Sequence, residues 1–146
     1  MFKKIQDKFS NYKCVVKLHP RSVINRFDQD FYVLPMDGIP WEVYTLNYQM
    51  DQKILVSISC ATMTSSKLMF GDEPRSLMLF PIVENKIIEK STGKSYFTKE
   101  RVKKIQDQKQ LYDNENQFCI VASKDAAMEK NCSLAHGKGK IYMIKN

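Results

Sequence analysis

Two short cysteine–histidine pairs stand near the two ends of the 146-residue chain: Cys14 with His19, and Cys132 with His136. Thiolate and imidazole are ligands that zinc prefers, and two such pairs would complete a tetrahedral site joining the termini. Against a metal, Pro20 follows His19 directly and Cys14 lies in an apolar run, and four cysteines and two histidines fall into such pairs easily by chance. No metal and no cofactor is expected. The same residues suggest a second chemistry. A thiol nucleophile needs an imidazole base and a third group to orient that base. Cys132 or Cys119 with His136, oriented by Asp125 or Asn131, is the candidate catalytic set. Cys119 sits in an apolar stretch and reads as core. The carboxylates form no convincing acid–base pair, so the expectation leans away from an enzyme.

Phosphate chemistry is the other candidate. Lys99, Arg101, Lys103 and Lys104 crowd the first turns of a predicted helix, and Lys138 and Lys140 flank Gly139 in a His136–Lys140 loop. Glycine lets the backbone approach a ligand, and lysine supplies point charges for phosphate. Lys99 and Lys103 are helical neighbours that repel, and cations in a first turn oppose the helix dipole. Local stability would not select that arrangement, which favours an anionic partner. The run Ser91-Thr92-Gly93-Lys94-Ser95 touches the phosphate-loop pattern but fails it, because Ile88 stands where the pattern needs glycine. It reads as a turn.

The charge is uneven. Of a net +7, residues 1–30 carry +4, residues 31–85 carry −3 and residues 86–146 carry +6. A basic surplus speaks to partners only weakly. Only Arg21, Arg26, Arg75 and Arg101 are arginines, few for reading bases, and no zinc-finger, RNP or KH pattern is visible.

These residues need elements to hold them. Phe2, Ile5, Phe9 and Tyr12 have helical spacing among lysines and predict a basic amphipathic helix over 2–12. Cys14–Leu18 reads as a strand, Pro20 opens a short helical turn through Phe27, and Phe31–Leu34 reads as a second strand. Trp41–Met50 and Lys53–Cys60 alternate and predict a hairpin closed at Asp51-Gln52. Leu77–Val83 predicts an edge or bulged strand because of Pro81, and Lys86–Phe97 a further hairpin. Thr98 caps a predicted helix to about Leu111, with Phe97 and Val102 as a hydrophobic staple. Phe118–Ala122 predicts a buried strand, Ser123–Leu134 a helix, and Ile141–Ile144 a last strand.

The expected fold is therefore a single α+β domain over residues 1–146. It has a mainly antiparallel sheet of five to seven strands, an N-terminal helix and one or two C-terminal helices. The β-rich core spans about 30–97 and a strand–helix–strand unit about 118–145. Trp41, beside Pro40 at a turn, is expected to be partly exposed, and Leu68, Met69 and Phe70 form an apolar patch in a loop region.

No stretch approaches the ~18 consecutive apolar residues of a membrane span. The start MFKKIQDKFSNYKC has no apolar signal core. A cytoplasmic protein with free thiols is expected, or one delivered into a host cytosol without a signal peptide. The expected function is a non-enzymatic accessory regulator or inhibitor that docks to a protein partner through Trp41 and Leu68–Phe70. The first alternative is an RNA-, DNA- or phosphate-binding protein using Lys99–Lys104 and Lys138–Lys140. The second is a small Cys/His enzyme.

Overall fold

The computed structural model describes residues 6–7, 12–18, 31–34, 39–51, 53–84, 86–89 and 91–123, and the backbone of residues 139–144. Its centre is a sheet of six strands, and every strand pairing in it is parallel. The strands are β1 (Tyr12–Lys17), β2 (Tyr32–Val33), β3 (Ile54–Ser57), β4 (Arg75–Met78), β5 (Phe118–Ile120) and β6 (Gly139–Ile144). They lie in the order β2-β1-β6-β3-β4-β5. β6 joins a two-stranded parallel set, β2-β1, to a three-stranded one, β3-β4-β5.

This overturns the antiparallel expectation. The only antiparallel pairing among the described residues is the bridge of Ile88 to Ser95 in the 86–97 hairpin. The physical reason lies in burial. All four residues of β3, Ile54-Leu55-Val56-Ser57, are buried, as are Cys14, Val15, Val16 and Lys17 of β1. A parallel sheet is covered on both faces, so its strands read as short continuous apolar runs rather than as alternation. The alternation of Ile54, Val56 and Ile58 with Ser57 and Ser59 was real but left out Leu55, which fills the opposite face.

The predicted hairpin partner of β3 is a helix. α1 (Trp41–Thr45) follows Pro40, which fits the position before a first helical turn. Trp41, Tyr44 and Thr45 are buried, and Tyr44 stacks on Tyr48 with ring centroids 4.6 Å apart. That is spacing of three, four and seven, the helical period that competes with alternation over the same stretch. α2 (Thr62–Phe70) contains the Leu68–Phe70 segment expected in a loop. It ends at Gly71, whose φ of 78° is left-handed and whose N–H donates to the Lys67 carbonyl at 3.0 Å. The Leu77–Val83 strand stops at Met78, and Phe80–Val83 is a short helix, α3, with Pro81 in its first turn.

α4 (Lys99–Asp107) matches its expected start. Thr98 Oγ1 accepts from Arg101 N at 3.3 Å, and Phe97 and Val102 both join the core. A 3-10 turn (Gln108–Leu111) extends it. Tyr12, expected in the N-terminal helix, opens β1 instead; Gln6 and Asp7 are helical. The Pro20–Phe27 turn and the Ser123–Leu134 helix fall almost wholly outside the described residues.

The core has two sides. On one, Val15, Leu55, Met78 and Phe118 of the strands meet Trp41 and Tyr44 of α1, Met63 of α2 and Ile105 of α4. On the other, Cys14, Val16, Ile54, Val56 and Leu77 pack with Leu79 and Val121. Tyr112 ties the first side together: its hydroxyl donates to the Met63 carbonyl at 2.9 Å and shares a hydrogen bond with Ser76 Oγ at 2.9 Å. The amino ends of the strands are held by carboxylates. Asp51 accepts from Glu73 N at 2.7 Å, Asp72 from Met50 N at 2.9 Å, and Glu73 from Asp113 N at 2.6 Å.

Candidate functional site

Because all strands run the same way, the segments that follow them gather along one edge of the sheet. The last register row at this carboxyl edge crosses Lys17, Ile144, Ser57, Met78 and Ile120. Partnered residues of a parallel ladder share a face, so Lys17 and Ser57 lie on the α1–α2 side, two strands apart, roughly 9–10 Å between Cα atoms. Lys17 is only 4% exposed, and its ammonium donates to the Leu18 carbonyl at 2.9 Å. Ser57 is wholly buried and its Oγ has no hydrogen-bond partner among the described residues.

Beyond β3 the chain turns through Ser59 and Cys60 into α2. The cap position is Ala61, which has no side chain to accept from the first-turn amides. Cys60 Sγ lies 2.6 Å from Thr62 Oγ1. Burial pushes the Cys60 thiol up, outweighing that hydrogen bond, so it is not an activated thiolate.

α4 also starts at this edge. Phe97 packs on Phe80, just past β4, with centroids 5.5 Å apart, while Asp113 beyond α4 is bound to Glu73 at the opposite edge. The Lys99–Lys104 turn is therefore near the carboxyl ends of the strands, but it is not four free cations. Arg101 Nη1 donates to Glu89 at 2.7 Å and to the Tyr96 carbonyl at 2.8 Å, and the guanidinium lies 4.3 Å from the Tyr96 ring centroid. Lys104 pairs with Glu100 at 2.8 Å. Arg101 holds the Glu89 carboxyl below its ordinary range, and Lys104 does the same to Glu100. Lys99 and Lys103 are exposed and have no partner among the described residues.

The second basic cluster does not join the first. Lys140 stands second in β6, opposite Lys13 at the amino end of β1, so its backbone is at the other edge of the sheet. Lys138 lies outside the described residues.

The metal and thiol candidates are likewise not brought together where they can be followed. Cys14 is buried on the second side of the sheet, and burial raises its thiol. Cys119 lies in β5 and its thiol donates to the Asn116 carbonyl at 3.3 Å. His19, Asp125, Asn131, Cys132 and His136 lie outside the described residues. Among the described residues no group of three or more His, Cys, Asp or Glu side chains could hold a metal ion. No helix among them is long and apolar enough to cross a membrane.

The apolar patch is found, with one member lost and others added. Trp41, expected to be partly exposed, is buried at the start of α1. Leu68, Met69 and Phe70 are exposed on the last turn of α2. Val43, Leu46 and Tyr48 are exposed as well, on and just after α1, which packs beside α2. A helical reading of residues 41–48 would have found Val43 and Leu46, because they fall opposite Trp41, Tyr44 and Thr45. Lys17 was also missed; its only signal was one cation closing the apolar run Cys14-Val15-Val16.

Comparison with protein families, with curated proteins and with solved structures finds no match.

Proposed function

We propose that this chain is an α/β ligand-binding domain that takes a small phosphate-bearing molecule, of the nucleotide class, at the carboxyl edge of its sheet. The observation that carries this reading is Lys17: a buried ammonium at the carboxyl end of a central parallel strand. Open parallel sheets bind ligands in the crevice beyond the carboxyl ends of their strands, where successive connections diverge. Here β1 leads outward to β2 on one side, while β3 leads to β4 and β5 on the other. The uncapped start of α2 and the free ammoniums of Lys99 and Lys103 add positive potential at the same edge.

A small ligand fits better than a nucleic-acid strand. A strand needs a continuous basic track. In this domain Arg101 and Lys104 are neutralised internally, and Lys140 enters its strand at the far edge. The test is titration calorimetry with ADP and with inorganic pyrophosphate at low and high salt. Binding that weakens about tenfold in Lys17→Met, and less in Lys99→Glu/Lys103→Glu, supports the site. Equal binding by all three proteins, or none by the parent, overturns it.

A second reading, docking to a protein partner, is supported by a separate observation: six exposed apolar side chains on α2 and on and just after α1. The two readings use different surfaces and do not exclude one another.

A further inference from the structure

α2 is built the wrong way round for a helix at a free surface. Its small hydroxyl residues Thr64 and Ser66 are buried, whereas Leu68 is 64% and Met69 54% exposed. α1 shows the same feature beside it: Leu46 is 63% exposed, flanked by Val43 and Tyr48. The two helices are in contact, and the Asp72 bond to Met50 N holds the end of α2 against the segment leaving Tyr48. The two exposed apolar groups thus lie on adjoining segments of the chain. A surface helix normally turns its large apolar side chains inward, so this face calls for a covering partner.

We infer that the covering partner is a second copy of this chain, packed α2 against α2 about a two-fold axis. The inference rests on the protein-docking reading and names its occupant. Charge is the first argument. Across Trp41–Tyr48 the only charged residue is Glu42, and across Thr62–Phe70 the only one is Lys67. Lys67 is taken by Glu73 at 2.8 Å and Asp113 at 2.6 Å. The face thus offers no handle to an acidic or a basic partner, while an identical neutral face is complementary to it. Area is the second argument. From the usual sizes of these side chains, the six expose on the order of 600 Å² per copy. Two copies would then bury about 1,200 Å², the lower bound for a specific interface. A two-fold axis closes the assembly at two copies, because each patch faces its twin.

The dimer is of low-end size and so is expected to be reversible, forming in the micromolar range. Sedimentation velocity on the full chain, from low to high micromolar concentration, is the test. The parent chain should pass from monomer to dimer. Leu68→Asp/Met69→Asp should remain monomeric, and so should Val43→Asp/Leu46→Asp on the neighbouring helix. The far-UV circular dichroism of both variants should match the parent, because all four side chains are already exposed. A parent that stays monomeric overturns the inference, as does dimerisation that survives both pairs of substitutions. If the parent is monomeric but captures a foreign protein that the Leu68→Asp/Met69→Asp variant releases, the second copy is wrong and the docking reading stands. If it is monomeric and captures nothing, both fall.

Discussion

The Arg101 guanidinium donates to the Glu89 carboxylate at 2.7 Å and lies over the Tyr96 ring. This contact joins the first turn of α4 to both arms of the 86–97 hairpin, and it changes what the basic turn means. One of four clustered cations is part of the protein's own framework, and a second, Lys104, is held by Glu100. Arg101→Gln should free the hairpin. The Gly93 N–H that donates to Glu89 O, and the Tyr96 N–H that donates to Ile87 O, should exchange with solvent several-fold faster. Lys103→Gln, two residues on, should leave both unchanged; equal rates in the two variants would remove Arg101 from this role.

Tyr112→Phe should cost about 1–2 kcal/mol, read as a lower urea midpoint. The substitution leaves Ser76 Oγ and the Met63 carbonyl buried without their phenol partner. The ring packing on Phe118 is retained, so a loss as large as that of a Leu-to-Ala cavity would mean the ring rather than the hydroxyl is the source.

Ser66→Ala should stabilise the protein by up to about 1 kcal/mol. The Ser66 hydroxyl is buried in α2 with no hydrogen-bond partner among the described residues, and alanine is the better helix former. A destabilised variant in thermal melts would show that this hydroxyl is satisfied in solution.

The Lys67–Glu73–Asp113 cluster should shape stability at both ends of the pH range. Its bond from Lys67 holds the Glu73 carboxyl below its ordinary value, so that contribution is present above the unfolded carboxylate pKa and is lost as pH falls through the folded one. The Asp113 and Glu73 bonds raise Lys67, so its contribution is present below the unfolded lysine pKa and is lost as pH rises through the folded one. Lys67→Met should flatten both limbs in urea midpoints measured across pH. Unchanged limbs would place the pH dependence elsewhere.

Thr98→Ala should lower stability by about 1 kcal/mol through loss of the cap on Arg101 N, and Thr98→Ser should recover most of it.

The sequence by itself determined those elements whose signal is local. Thr98 as a cap needs only its own hydroxyl and the amide three residues on. The positions of β1, β2, β5 and β6 were legible because apolar runs of that length are strands in any sheet. The exposed Leu68–Phe70 triplet was legible as a patch, though not as a helix. Strand direction was not legible. It depends on which distant segment lies alongside, and β6 enters between β1 and β3 across nearly the whole chain. Nor did alternation in residues 41–60 settle helix against strand, because Trp41, Tyr44, Thr45 and Tyr48 fit a helical face equally well and only packing against Leu55 and Met63 selects it. The same holds for charge. Sequence places four cations in the first turns of one helix, but only the tertiary structure sets Glu89 beside Arg101, leaves Lys99 and Lys103 without a partner among the described residues, and buries Lys17 at the carboxyl edge of the sheet. Those outcomes are decided by contacts between residues far apart in the chain, which local pattern does not encode.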